Sequence, residues 1–90
     1  MEKRCPVRNP DIVARKDEKE ALLFDPSNGR MLCMNHTGVF VWEKSDGKST
    51  LEDIAAGMVE DFDVSRDDAR KDCMLFLKEL EEAGFIGYTF

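Results

Sequence analysis

The chain has 90 residues, 42% of them apolar, and 19 acidic against 13 basic side chains leave a net charge of −6. These values describe one domain with a modest core, too apolar to be disordered, and they argue against nucleic acid and anionic membranes, whose phosphates reward Lys and Arg. No apolar run approaches the ~20 residues of a membrane span. The opening MEKRCPVRNP has no apolar stretch behind its charges, so it is no signal peptide and the expected compartment is the cytoplasm.

Residues 1–10 contain Pro6 and Pro10 and are predicted to form an irregular arm. Asp11–Lys16 reads as a first strand, Asp17–Glu20 as a charged turn, and Ala21–Asp25 as a second strand. Pro26-Ser27-Asn28-Gly29 has turn chemistry at every position, so the third strand, Arg30–Met34, closes a hairpin. Asn35 is placed to cap a helix running to about Ser45, with Val39, Phe40 and Trp42 as its bulk. Asp46-Gly47 ends it. Ser49 or Thr50 caps a second helix to about Phe62, with Thr50 and Asp53 arranged as a capping box. Ser65 caps a third, which carries Asp67 and Asp68 in its first turn and stops at Gly84. Phe85-Ile86-Gly87-Tyr88 is a short extended tail.

The predicted fold is α+β: a three-stranded antiparallel sheet followed by three α-helices, resembling a winged helix-turn-helix. On the third helix Ala69, Cys73, Phe76, Leu77, Leu80 and Ala83 share one face at ~100° per residue and belong to the core. Met74 and Leu75 lie off that face, flanked by Lys71 and Lys78. They are either apolar residues on a solvated surface or, with the two lysines, a contact patch. In a sequentially ordered sheet Arg30–Met34 is an edge strand with no Pro and no inward charge to blunt it. Such an edge permits pairing with another chain.

The sequence contains no Gly-rich phosphate loop and no nucleophile elbow. The single histidine, His36, has no identifiable nucleophile near it. Cys5, Cys33 and Cys73 are widely spaced and form no metal-ligand pattern. The acid pairs Asp67-Asp68 and Glu81-Glu82 occupy adjacent helix positions and point apart. No enzyme activity, cofactor or metal is expected.

The segment LLFDPSNGRMLCMNHTGVFVWEKSDGKSTLEDIAAGMVEDFDVSRDDARKDCMLFLKELEEAGFI resembles the pyrroloquinoline quinone biosynthesis protein D family (PqqD-like). The shared points are the D-P-x-x-G hairpin, Asn35, Trp42, Asp46-Gly47, the D-F-D-V link at Asp61–Val64 and the closing L-x-E-L-x-x-A-G-F-I. The resemblance covers about residues 11–88. It implies a non-catalytic peptide chaperone, a recognition element for ribosomally made, modified peptides. Such a domain binds the leader of a precursor peptide by strand addition and presents it to a modifying enzyme, often a radical S-adenosylmethionine protein. It maps peptide binding onto Arg30, Met31, Leu32, Cys33 and Met34, with Lys71, Met74, Leu75 and Lys78 across from them. The two lysines would then favour an acidic leader. A Pro at Leu32 or Cys33 should abolish binding where that residue's N–H faces the peptide. Two other classes compete. A winged-helix DNA-binding domain would use the third helix for recognition, but Arg66–Glu82 holds four basic and six acidic residues. A structural module would use the bare edge to pair with its own copy as a homodimer.

Overall fold

The computed structural model describes residues 4–89. A three-stranded antiparallel sheet has the order β2(Val13–Lys16), β3(Glu20–Phe24), β4(Met31–Asn35), and a separate ribbon pairs β1(Cys5–Arg8) with β5(Ile86–Thr89). Between them run α1(His36–Lys44), α2(Leu51–Asp61) and α3(Arg66–Glu82). The expected three strands followed by three helices are therefore present in that order, with a second small sheet added.

Local chemistry sets most boundaries. In the β2–β3 turn Asp17 Oδ1 accepts the N–H groups of Lys19 (3.0 Å) and Glu20 (2.9 Å). In the β3–β4 turn Asp25 Oδ1 accepts both the N–H (2.9 Å) and the hydroxyl (2.7 Å) of Ser27, and Gly29 takes φ 77°. That left-handed backbone is open to Gly without a Cβ clash. Asn35 caps α1: its Oδ1 accepts the Gly38 N–H at 3.0 Å and the Thr37 hydroxyl at 2.8 Å. The last residue of β4 is thus also the cap of the helix, so strand and helix need no linker. Thr50 and Asp53 form a complete capping box on α2, and Ser65 caps α3. At the end of α3 Phe85 N–H donates to Leu80 C=O and Gly84 N–H to Glu81 C=O, with Gly84 at φ 79°. This is the paired-bond left-handed stop, with Phe85 packed on Leu80 as its apolar contact.

The core is built from one face of each element. Ala21 and Leu23 of β3 and Met34 of β4 meet Val39, Val41 and Trp42 of α1, Ile54, Ala55 and Met58 of α2, and Ala69, Cys73, Leu77 and Leu80 of α3. Phe40, expected with Val39 and Trp42 to supply the bulk of α1, is half-buried and meets the Phe62 ring edge-on at 5.5 Å.

The irregular arm expected over residues 1–10 is corrected where it is described. Cys5–Arg8 is a strand, in register with the C-terminal tail from Cys5↔Thr89 to Arg8↔Ile86. The missing N–H of Pro6 costs nothing useful, and its C=O accepts from Gly47 at 2.8 Å. Arg8 then closes the end of α1, donating to the carbonyls of Trp42 (3.2 Å) and Glu43 (2.6 Å), where the helix dipole favours a cation. Met1–Lys3 lie outside the described residues.

Candidate functional site

β4 is the outer strand of its sheet, as expected, and no described strand pairs with its far side. Its geometry follows from one bond. Asp25 N–H donates to Arg30 C=O at 2.9 Å. In an antiparallel ladder, pairs that exchange hydrogen bonds alternate with pairs that do not. The register Leu23↔Leu32 and Ala21↔Met34 therefore spends the main-chain groups of Leu32 and Met34 on β3. Those of Met31 and Cys33 point away from the sheet, a row of donors and acceptors ready for a further strand.

Side chains alternate the other way. Met34 is buried and Leu32 half-buried, both turned inward, whereas Met31 and Cys33 lie exposed on the outer face opposite Phe24 and Leu22. Arg30 bridges the start of the strand to the far end of α3, donating to Glu82 C=O at 3.3 Å. At the other end the start of α1 and the middle of α3 enclose an open cleft of about 270 Å³. Its walls are Asn35 and Thr37 on one side and Asp72, Leu75, Phe76 and Glu79 on the other. β4 and the C-terminal half of α3 thus run alongside one another in opposite directions.

Behind Phe76, one wall of this cleft, lies Gly38. A Cβ there would stand 2.9 Å from both Met34 Cε and Phe76 Cε1, and 3.1 Å from Met34 Cβ. Strand, first helix and third helix therefore converge on a point where only a hydrogen fits.

Of the α3 residues singled out from the sequence, Leu75 lines the cleft. It is 63% exposed and Met74 53% exposed, large apolar side chains open to solvent. Lys71, Met74 and Lys78 are not among the lining residues; at 100° per residue Lys71 and Lys78 lie beyond Leu75, about 40–60° further round the helix. In their place Asp72 and Glu79 face the cleft. Sequence reading missed these two, together with Thr37 and the lining roles of Asn35 and Phe76. The signal available was the spacing of 72, 75, 76 and 79, one stripe along a helix. Because half of that stripe is acidic, it leaves no apolar periodicity.

The remaining candidates separate from the site. Cys73 sits in the core with its Sγ 3.9 Å from Leu51 C=O, and burial pushes its thiol up to about 12. Cys33 lies on the opposite, exposed side of the sheet layer, so the two thiols do not share the cleft. His36 packs against Phe62, ring centres 5.3 Å apart, in a hollow of about 310 Å³ beside Lys16, Glu20, Phe40 and Glu43. No Ser, Thr or Cys lines that hollow. Among the described residues no cluster of His, Cys, Asp and Glu is disposed to hold a metal ion, and no helix is long and apolar enough to cross a membrane.

Two solved structures share this fold. A lasso peptide synthetase B1 complexed with the leader peptide is 21% identical, over 91% of this chain and 96% of that one, with a TM-score of 0.78. TbiB1 in complex with the TbiA(beta) leader peptide is also 21% identical, over 93% and 99%, with a TM-score of 0.79. At this identity the likeness is one of fold. No curated protein matches the chain. The sequence model of the family described as coenzyme PQQ synthesis protein D (PqqD) matches residues 20–86, from the first residue of β3 to the first of β5. With most of its length under that match, including β4, the three helices and the cleft between α1 and α3, the chain belongs to the PqqD family.

Proposed function

We propose that this PqqD-family domain binds the leader segment of a ribosomally made precursor peptide as an added strand along β4. It has no chemistry of its own and hands the peptide to a modifying enzyme. A radical S-adenosylmethionine protein is the class that the family resemblance suggests. The observation that carries the reading is the open side of β4, where the main-chain groups of Met31 and Cys33 face no described strand, with a cleft at the Asn35 end of the same strand. Both structural neighbours were solved with a leader peptide, which supports the same use of the fold here.

Magnitudes locate the specificity. Four main-chain hydrogen bonds at a net ~1 kcal/mol each contribute about 4 kcal/mol. Micromolar binding needs about 8. Side-chain burial against Leu75 and Phe76 has to supply a similar amount, at about 1.5–3 kcal/mol per apolar residue. It must also offset the cost of ordering a flexible peptide. The edge therefore accepts a strand, and the cleft decides which one.

The test is an amide-resolved NMR titration with the leader of a precursor peptide encoded beside this gene. The expected shifts lie in Met31–Asn35 and along Asp72–Glu79. Saturating shifts confined to other surfaces, such as the β1–β5 ribbon, would overturn the strand-addition reading.

A further inference from the structure

We infer that the peptide accepted by this site is cationic on its cleft-facing side, with Lys or Arg two residues before and two residues after an apolar residue. The inference rests on the strand-addition reading and specifies the chemistry of its ligand.

The argument starts from α3. Asp72, Leu75, Phe76 and Glu79 all line the cleft, with the two carboxylates on either side of the apolar pair along the helix. At 1.5 Å per residue Asp72 lies about 4.5 Å before Leu75, and Glu79 about 6 Å after it. A strand laid along β4 runs beside this part of α3, because Arg30 ties the start of β4 to Glu82 and Asn35 at its end meets the Asp72–Glu79 segment. Along such a strand, side chains on one face recur every ~6.6 Å. An apolar residue over Leu75 and Phe76 therefore brings the two flanking same-face side chains to within about 2 Å of the carboxylate positions. The flexible stems of Lys and Arg absorb a mismatch of that size while their heads stay in water.

No described cation is bonded to either carboxylate to cancel this field. The described ion pairs of α3 join Arg66 and Arg70 to Glu52 of α2, on the opposite flank of the helix. Arg30 donates to the main chain at Glu82 and its charge acts on Asp25, away from the cleft lining. Lys71 and Lys78 lie outside the lining, beyond Leu75, so the charged side chains on the cleft wall itself are both acidic. The net charge of −6 adds a long-range attraction for the same class of peptide. An acidic leader, which the two lysines suggest when the sequence is read alone, would meet like charge on the wall it has to pack against.

The experiment uses the full chain as bait for a phage-displayed library of random 12-residue peptides. Parallel selections use the Asp72→Lys/Glu79→Lys double variant, and every enriched peptide is re-tested against Cys33→Pro. Both positions of the double variant lie on the surface side of α3, and circular dichroism checks that each variant keeps its fold. The expected result is enrichment of basic–x–apolar–x–basic peptides that lose binding to Cys33→Pro. Those peptides should bind the double variant about tenfold or more weakly, with association that falls as salt rises. Peptides that need an intact Cys33 N–H but show no basic bias would overturn this inference and leave strand addition standing. A selection yielding only peptides indifferent to Cys33→Pro would overturn the strand-addition reading itself.

Discussion

Replacing Gly38 by Ala tests the convergence that shapes the cleft. In an exposed helix this change is stabilising by up to about 1 kcal/mol, because Gly is the costlier residue to order. Here the added methyl would enter a space already taken, with Met34 Cε and Phe76 Cε1 both at 2.9 Å and Met34 Cβ at 3.1 Å. The Met34 terminus can swing aside. Met34 Cβ is fixed to the β4 backbone, and the half-buried Phe76 ring reaches the same point from α3. Overpacking of this kind costs about 1–3 kcal/mol. Set against the propensity gain, the net is about 1–2 kcal/mol of destabilisation. For a domain of this size that is roughly 5–15 °C in Tm, at about 4–8 °C per kcal/mol. Thermal unfolding followed by circular dichroism measures it, with Gly57→Ala alongside, whose Cβ would meet only the edge of the half-buried Phe40 ring at 2.9 Å. A Tm for Gly38→Ala equal to or above the wild type would refute the packing argument, and with it the idea that Gly38 sets the distance between β4 and α3.

Three further predictions follow from the same geometry. Cys33→Pro removes an N–H that points off the sheet and should leave Tm nearly unchanged while weakening peptide binding; Leu32→Pro removes a ladder donor to Leu23 and should cost about 3 kcal/mol of stability or more. Calorimetric titration and thermal melts together check this pair, and equal losses of stability would show the hydrogen-bond alternation to be misassigned. Mass-mapped alkylation at neutral pH should label exposed Cys33 rapidly and Cys73 only on unfolding, since a thiol raised to about 12 is protonated and its site is closed; rapid labelling of Cys73 in the folded protein contradicts its core position. Hydrogen bonds from the Ser27 hydroxyl to Asp25, and from the N–H groups of Lys19 and Lys48 to Asp17 and Asp46, hold these carboxyls below the ordinary value of 3.8. Folded pKa values below the unfolded ones mean stability that is complete above about pH 5 and is lost as pH falls through the folded values. Acid unfolding of Asp25→Asn should therefore be less steep than that of the wild type, and identical acid profiles would remove Asp25 from the account.

Much of the architecture was legible because its causes are local. The caps at Asn35, Thr50 and Ser65, the Asp25–Gly29 turn and the stop at Gly84 act over three to five residues, so reading the neighbours is enough. The sequential order β2-β3-β4 follows from short connections, and with it the exposure of β4 as an edge. The β1–β5 ribbon was not legible. Its partners are some eighty positions apart, Cys5 opposite Thr89, and four residues containing Pro6 carry too little pattern to announce a strand.

Which wall of α3 faces β4 was also decided only in three dimensions. A helical wheel with Ala69, Cys73, Leu77 and Leu80 against the core fixes the rotation of α3, but not which of its two flanks β4 lies along. On that wheel Asp72 and Glu79 lie between Leu75 and Phe76, and Lys71 and Lys78 on the far side of Leu75, pointing away from the core. The flank is set where Phe76 and Met34 both approach the bare Cα of Gly38, with Glu52 holding Arg66 and Arg70 toward α2 on the other side. The amino-acid order alone determined that there is an open strand with a helix to face it. The close approach at one glycine placed the strand along the flank of that helix that carries Asp72, Phe76 and Glu79, because only there can Met34 and Phe76 share the space beside a residue with no Cβ.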